Sequence, residues 1–161
     1  MELNIRAGNG RIAYGNILLF AKTPKQSAIY IDAARRIVGR TYGEGVTKAE
    51  IDRIAIPETY DEAVRYAVDL SRDVDFARYD FFSVDGELYG GEITVYPAAG
   101  FAPVPQFPDG TGTRRPDSLA QAILENWDIR TSWFMTAPLS GWKTHYRDVL
   151  IRNGFGMPPE K

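Results

Sequence analysis

The segment YDFFSVDGELYGGEITVYP, residues 79–97, constrains the fold more than any other part of the chain. Two runs of alternating polarity flank the pair Asp85-Gly86. Period-two alternation is a strand signal, and Asp-Gly between two such runs marks a hairpin turn. Over 75–83 the odd residues Ala77, Tyr79 and Phe81 are apolar, and the even ones include Arg78 and Asp80. Over 87–96 the odd residues Tyr89, Ile93 and Val95 are apolar, and the even ones include Glu92 and Thr94. Only one face of such a hairpin can meet a core, so odd must lie with odd. A two-residue loop pairs Val84 with Glu87 and mixes the faces. A three-residue loop, Val84 to Gly86 with Gly86 left-handed, pairs Ser83 with Glu87 and keeps the parity, so that register is expected. It sets Arg78 across from Glu92 and Asp80 across from Gly90. Asp80 and Glu92 then become diagonal neighbours, about 7–8 Å apart at the backbone. Gly90 and Gly91 leave room for a ligand or another backbone.

The remainder reads as α+β in one domain spanning 1–161: a largely antiparallel sheet with helices on one side. ELNI, NILLFA and SAIYID are strands, and 33–56 reads as a broken strand and a connecting segment. PETYDEAVRYAVDLSRD (57–73) is a helix, with Thr59 and Glu62 as a capping box and Tyr60, Ala63, Val64, Ala67 and Leu70 on one stripe. The Pro- and Gly-rich stretch 97–117 reads as a long loop. SLAQAILENWD is a short helix capped by Ser118 and Gln121, and IRTSWFM is read as extended. SGWKTHYRDVLIRNG is the final helix, capped by Ser140, ended by Gly154, and buried along Trp142, Tyr146, Val149 and Leu150.

Composition removes several chemistries. The 161 residues include no cysteine and one histidine, His145. Disulfides, thiolate metal sites, a Cys nucleophile and a polyimidazole metal site are excluded. Any metal must sit on oxygen ligands, which favours Mg²⁺, Mn²⁺ or Ca²⁺. The net charge of −2 supplies no global basic field for nucleic acid. ILLFA, the longest apolar run near the N-terminus, is too short to span a bilayer, and cytoplasm is the default expectation.

ARYDFFSVDGELYGGEITVYPAAGF (77–101) resembles a signature of the teichuronopeptide-biosynthesis (TupA-like) branch of the ATP-grasp superfamily. That signature is Arg-x-Asp … Gly-Glu-x-Thr-x-x-Pro-x-x-Gly-Phe. The segments 16–42 and 56–82 resemble the hairpin and the helix-then-strand run that precede it. The resemblance covers most of 1–101, matching the C-terminal lobe of an ATP-grasp enzyme, and 102–161 more loosely. It implies that Asp80, Glu92 and Thr94 ligate Mg²⁺ and that Arg78 steadies a phosphate or acyl phosphate. It places Glu2 near the adenine of ATP. The implied activity is ATP-dependent carboxylate–amine ligation, forming a C–N bond, in bacterial surface-polysaccharide biosynthesis. The partners implied are a nucleotide and a small-molecule or saccharide-linked carboxylate and amine.

Two departures carry weight. The family's glycine-rich loop and ATP-holding lysines belong to an N-terminal lobe with no counterpart here, and an expected Asp-x-Lys group finds only YGNILLF. The expectation is therefore either a truncated piece of such a ligase or, as the alternative, a catalytically inactive ATP-grasp-derived binding or assembly module that needs a partner chain to supply the other lobe. Blander readings also compete at each site. Charges on a strand face are commonly its wet side, Arg114 and Arg115 fit a solvated loop, His145 fits a structural role, and Trp127, Trp133 and Trp142 fit packing.

Overall fold

The computed structural model describes residues 1–95 and 117–153. Its six strands are β1 (Glu2–Gly8), β2 (Arg11–Leu19), β3 (Ser27–Asp32), β4 (Ile37–Thr41), β5 (Ala77–Val84) and β6 (Glu87–Val95). They form one antiparallel sheet in the order β4-β3-β2-β1-β5-β6. The first four strands make a meander. Helices α1 (Lys48–Asp52) and α2 (Thr59–Leu70) then return the chain to the free side of β1, where the β5–β6 hairpin adds. Helices α3 (Asp117–Asn126), α4 (Trp133–Thr136) and α5 (Trp142–Arg152) follow, with a 3₁₀ turn at Ile129–Thr131. No helix among the described residues is long and apolar enough to cross a membrane. The Pro- and Gly-rich stretch from 97 to 116, with Arg114 and Arg115, and Gly154 lie outside the described residues.

The α+β class read from the sequence holds, and parity explains the sheet. Odd residues of β1, β2, β3 and β5 (Leu3, Ile5, Ala7, Ile17, Ile29, Ile31, Ala77, Tyr79, Phe81) point to one face, where Ile51 of α1 and Tyr60, Ala63 and Ala67 of α2 bury them. Each fully buried Leu or Ile contributes about 1.5–3 kcal/mol of transfer free energy. A smaller cluster lies on the opposite face, where Leu119 of α3 meets Ala13, Tyr14, Val38 and Phe76. Helices α1 and α2 thus keep to one side as expected, while α3 covers part of the other.

The hairpin has a different register from the one parity alone suggests. The loop has two residues, with Asp85 at φ 50° and Gly86 at φ 82°, both left-handed as a type I′ turn requires. Val84 pairs with Glu87, so the faces do mix near the turn: Phe82 lies opposite Tyr89, and Ser83 opposite Leu88. A bulge then repairs the mismatch. Phe81 pairs with Gly90 but Tyr79 pairs with Ile93, so Gly91 and Glu92 together oppose Asp80. Arg78 consequently faces Thr94, not Glu92.

Several local readings are also corrected. Thr59 does not cap α2: the N-cap is Glu58, with no side-chain cap bond, and the Thr59 hydroxyl donates to Ser83 Oγ at 2.8 Å. The capping box is instead in α1, between Thr47 and Glu50. Residues 129–135 are a 3₁₀ turn (Ile129–Thr131), a bend at Ser132 and the start of α4, not an extended run. Helix α3 starts at Asp117, which puts Ser118 inside it. Gly141, not Ser140, is the N-cap of α5; no residue of that helix is buried, and Trp142 is 73% exposed.

Candidate functional site

The even-numbered side chains of β1 and β5 and, beyond the bulge, Glu92 and Thr94 of β6 share the face opposite α2, and this is where the predicted residues meet. Register places Asn4 between Asn16 and Asp80, and Arg6 between Tyr14 and Arg78. Asp80 is only 6% exposed. Both of its oxygens are engaged by Arg78, whose Nε donates to Oδ1 at 2.7 Å and Nη2 to Oδ2 at 2.6 Å. Two parallel bonds of this kind combine strength with fixed orientation. The Asp80 bond holds the Arg78 guanidinium still more firmly charged than usual, against the opposing pull of burial, and Glu92 and Glu2 add to the effect.

Thr94 links this pair to Glu92. Arg78 Nη2 donates to Thr94 Oγ1 at 3.3 Å, and Thr94 Oγ1 donates to Glu92 Oε1 at 3.0 Å. Glu92 is exposed, so the outer end of the chain is wet. Glu2 joins from the other side: Asn4 Nδ2 donates to Glu2 Oε1 at 2.9 Å and to Asp80 Oδ1 at 2.9 Å. Every residue singled out in the sequence (Glu2, Arg78, Asp80, Glu92, Thr94) therefore lies in one connected network. Phe82 and Tyr89 stand half-exposed beside it, in the row next to Glu2.

Sequence reasoning missed Asn4, Arg6 and Asn16. Asn16 Nδ2 donates to Asn4 Oδ1 at 3.3 Å, and Arg6 Nη1 donates to Asn16 Oδ1 at 2.6 Å. Asn4 and Asn16 are each 3% exposed, and buried amides at this level need partners. The signal was present in β1, where Glu2, Asn4 and Arg6 occupy alternate positions with the parity of Asp80 and Glu92.

The two glycines differ. A Cβ on Gly90 would meet open space, and Gly90 and Gly91 both line a pocket whose walls Leu70, Tyr79, Phe81 and Ile93 place on the α2 side of the sheet. A Cβ on Gly91 would come within 2.9 Å of both the Asp80 carbonyl oxygen and the Phe82 ring. Only Gly90 has room for an added side chain. The packing reading holds for Trp127 but not for the exposed Trp142, and the structural role expected of His145 is not seen among the described residues. Trp127 stacks on Phe76 at 5.5 Å and donates to Asp75 Oδ2 at 2.8 Å, and His145 is an exposed residue of α5.

The donor set suits a hard cation shared with a ligand better than a protein-only cage. Among the described residues no group of three or more His, Asp or Glu gathers closely enough to hold a metal ion. Two carboxylates and a hydroxyl do converge, and Mg²⁺ is usually held by one or two carboxylates, waters and substrate phosphates.

The sheet thus carries paired acids and an arginine on the face opposite α2, with Asp80 nearly buried and Glu92 exposed. The TupA-like ATPgrasp family model matches residues 12–111, more than half of the chain, and the chain belongs to that family. No curated protein and no solved structure matches it. Family membership points, at the general level, to an ATP-dependent ligase.

Proposed function

We propose that the Arg78–Asp80–Thr94–Glu92 face binds Mg²⁺·ATP and activates a carboxylate for attack by an amine, in bacterial surface-polysaccharide biosynthesis in the cytoplasm. The observation that carries this reading is the linkage of Asp80 and Thr94 to one arginine, and of Thr94 to Glu92, on the sheet face opposite α2. Asp80, Glu92 and the Thr94 hydroxyl are the groups that would hold the ion, which neutralises phosphate charge when bound. Arg78 has a second task. With no ligand it neutralises Asp80; with a phosphate nearby, its planar fork matches the phosphate oxygens equally well. Glu2 reaches the site's far edge, and its carboxylate is suited to accept from a ribose hydroxyl or an adenine amine. Phosphoryl transfer asks the protein chiefly for positioning and charge stabilisation, which such a rigid network supplies.

A second reading is favoured by a different observation. Leu70, at the end of α2, and Ile93 and Val95 of β6 stand half-exposed. An apolar strip beside a half-site suits a module completed by a partner lobe, with or without catalysis of its own.

A thermal-melting series separates the two. Mg²⁺ with ATP at 100 times its dissociation constant adds about 2.7 kcal/mol, a rise of roughly 5–10 °C for a domain of this size. The rise is expected with Mg²⁺ and ATP together, not with either alone. It is expected to vanish in the Asp80→Asn, Glu92→Gln double variant. That variant also loses the buried ion pair and melts lower, so the ligand-induced difference is the readout. A cooperative melt with no rise in the wild-type chain sinks the first reading and leaves the second.

A further inference from the structure

The polar face contains a second guanidinium that the proposed reaction does not use. Arg6 and Arg78 are register partners on neighbouring antiparallel strands, so their side chains leave the same face from directly opposite positions. Like charges so placed destabilise a sheet unless something neutralises them. Arg78 has its carboxylate, bonded through both nitrogens. Arg6 has none. Its guanidinium donates to the neutral Asn16 amide at 2.6 Å and lies 4.7 Å from the centre of the Tyr14 ring. Among the described residues it forms no ion pair.

Arg6 is nevertheless not a free surface side chain. Asn16 holds it, the buried Asn4 holds Asn16, and Asp80 holds Asn4, so its position is tied to the ion pair of the site through three consecutive hydrogen bonds. Tyr14 backs it and belongs to the cluster beneath α3, which gives this side of the face a wall. An arginine with a purely structural charge is most simply met by Asp or Glu at the neighbouring position. Here the neighbours are two asparagines, which orient the fork without neutralising it. A guanidinium offers five N–H donors in a plane that matches an oxyanion, and the protein takes only part of that capacity.

We propose that Arg6, acting beside Arg78, is an anion seat for a phosphoryl or carboxylate group of the molecule bound at this face. The location of the rest of that molecule rests on the metal–nucleotide reading; the seat does not. It lies toward β2 and α3, across β1 from Glu92, so the seated group and the metal ligands take different parts of the bound assembly.

The test is a midpoint titration without divalent metal, in chelator and at ionic strength matched with NaCl. Sodium tripolyphosphate stands for the nucleotide's phosphates and glutarate for a carboxylate substrate. At least one probe is expected to raise the wild-type midpoint. Arg6→Gln is expected to weaken that probe by about tenfold or more, the loss of a hydrogen bond to a charged group. Arg6→Lys, which keeps charge but not the fork, is expected to fall between them, and it decides the matter should Arg6→Gln fail to fold. Which probe acts identifies the source of the anion. The proposal is overturned if neither probe exceeds the NaCl control, or if the Arg6 variants titrate like wild type. A tripolyphosphate response with no Mg²⁺·ATP response leaves the seat and removes the ligase reading. Where tripolyphosphate is the probe that acts, normal Mg²⁺·ATP binding in Arg6→Gln does the reverse.

Discussion

Single residues on this chain take their properties from strand neighbours far away in sequence. Asp80 depends on Asn4, and Asn4 on Asn16. Asp32 shows the opposite, a local case. Burial by itself would raise its pKa. The Arg36 backbone N–H and guanidinium, helped by the Ala34 N–H, overcome that and leave the carboxyl below its usual value. The folded pKa is depressed, so the stabilisation is present above the unfolded value of about 3.9 and is lost as pH falls through the folded value. Asp32→Asn is expected to lower stability at pH 7 by about 1–3 kcal/mol, since a buried acceptor of charged bonds is weakened. It is also expected to shrink the difference between pH 7 and pH 2. Denaturant unfolding at both pH values measures this, and an unchanged acid profile would refute it. Arg6 belongs at this scale too: the strand read from the sequence stops at Ile5, whereas Arg6 lies within β1, and its lack of a carboxylate was not readable.

Elements were legible wherever one local signal dominated. The alternation around Asp85-Gly86 gives the hairpin, and the stripe Tyr60-Ala63-Ala67 gives α2. Two competing signals caused the misses. Thr59-x-x-Glu62 looked like a cap, but Thr59 bonds to Ser83 across the fold. Thr47-x-x-Glu50 is a capping box of the same form that was passed over inside an irregular stretch. In the hairpin, parity required a one-residue offset, and sequence cannot say whether a loop or a bulge supplies it. The bulge does, and it puts Glu92 beside Asp80. Gly91→Ala is therefore expected to destabilise by about 1–3 kcal/mol, through overpacking against the Asp80 backbone and the Phe82 ring, and to weaken ligand binding with it. Gly90→Ala, entering open space, is expected to be nearly neutral for folding. Equal midpoint losses for the two would contradict the observed bulge.

At the scale of the whole molecule, stability is uneven. Strands β1 and β2 sit at the centre of the sheet with buried residues on both faces. Strand β6 is an edge with most of its residues exposed, and α5 buries none. Hydrogen exchange is expected to be slowest for β1 and β2 amides, intermediate for β5, and fastest for β6 and α5 among the regular elements. Protection of β6 equal to that of β1 would mean that something covers the edge in solution. The sequence by itself determined the residue types of the site, the strand and helix that precede it, and the exclusion of cysteine and polyhistidine chemistry, because these follow from composition and from periodicities of two and 3.6. Only the tertiary structure decided which strands neighbour β1. That choice brings Asn4, Arg6 and Asn16 onto the face of Asp80 and leaves Arg6 opposite Arg78. Strand order and register are set by the summed burial of the odd-numbered face against α1 and α2, a property of the packed sheet that no single segment contains.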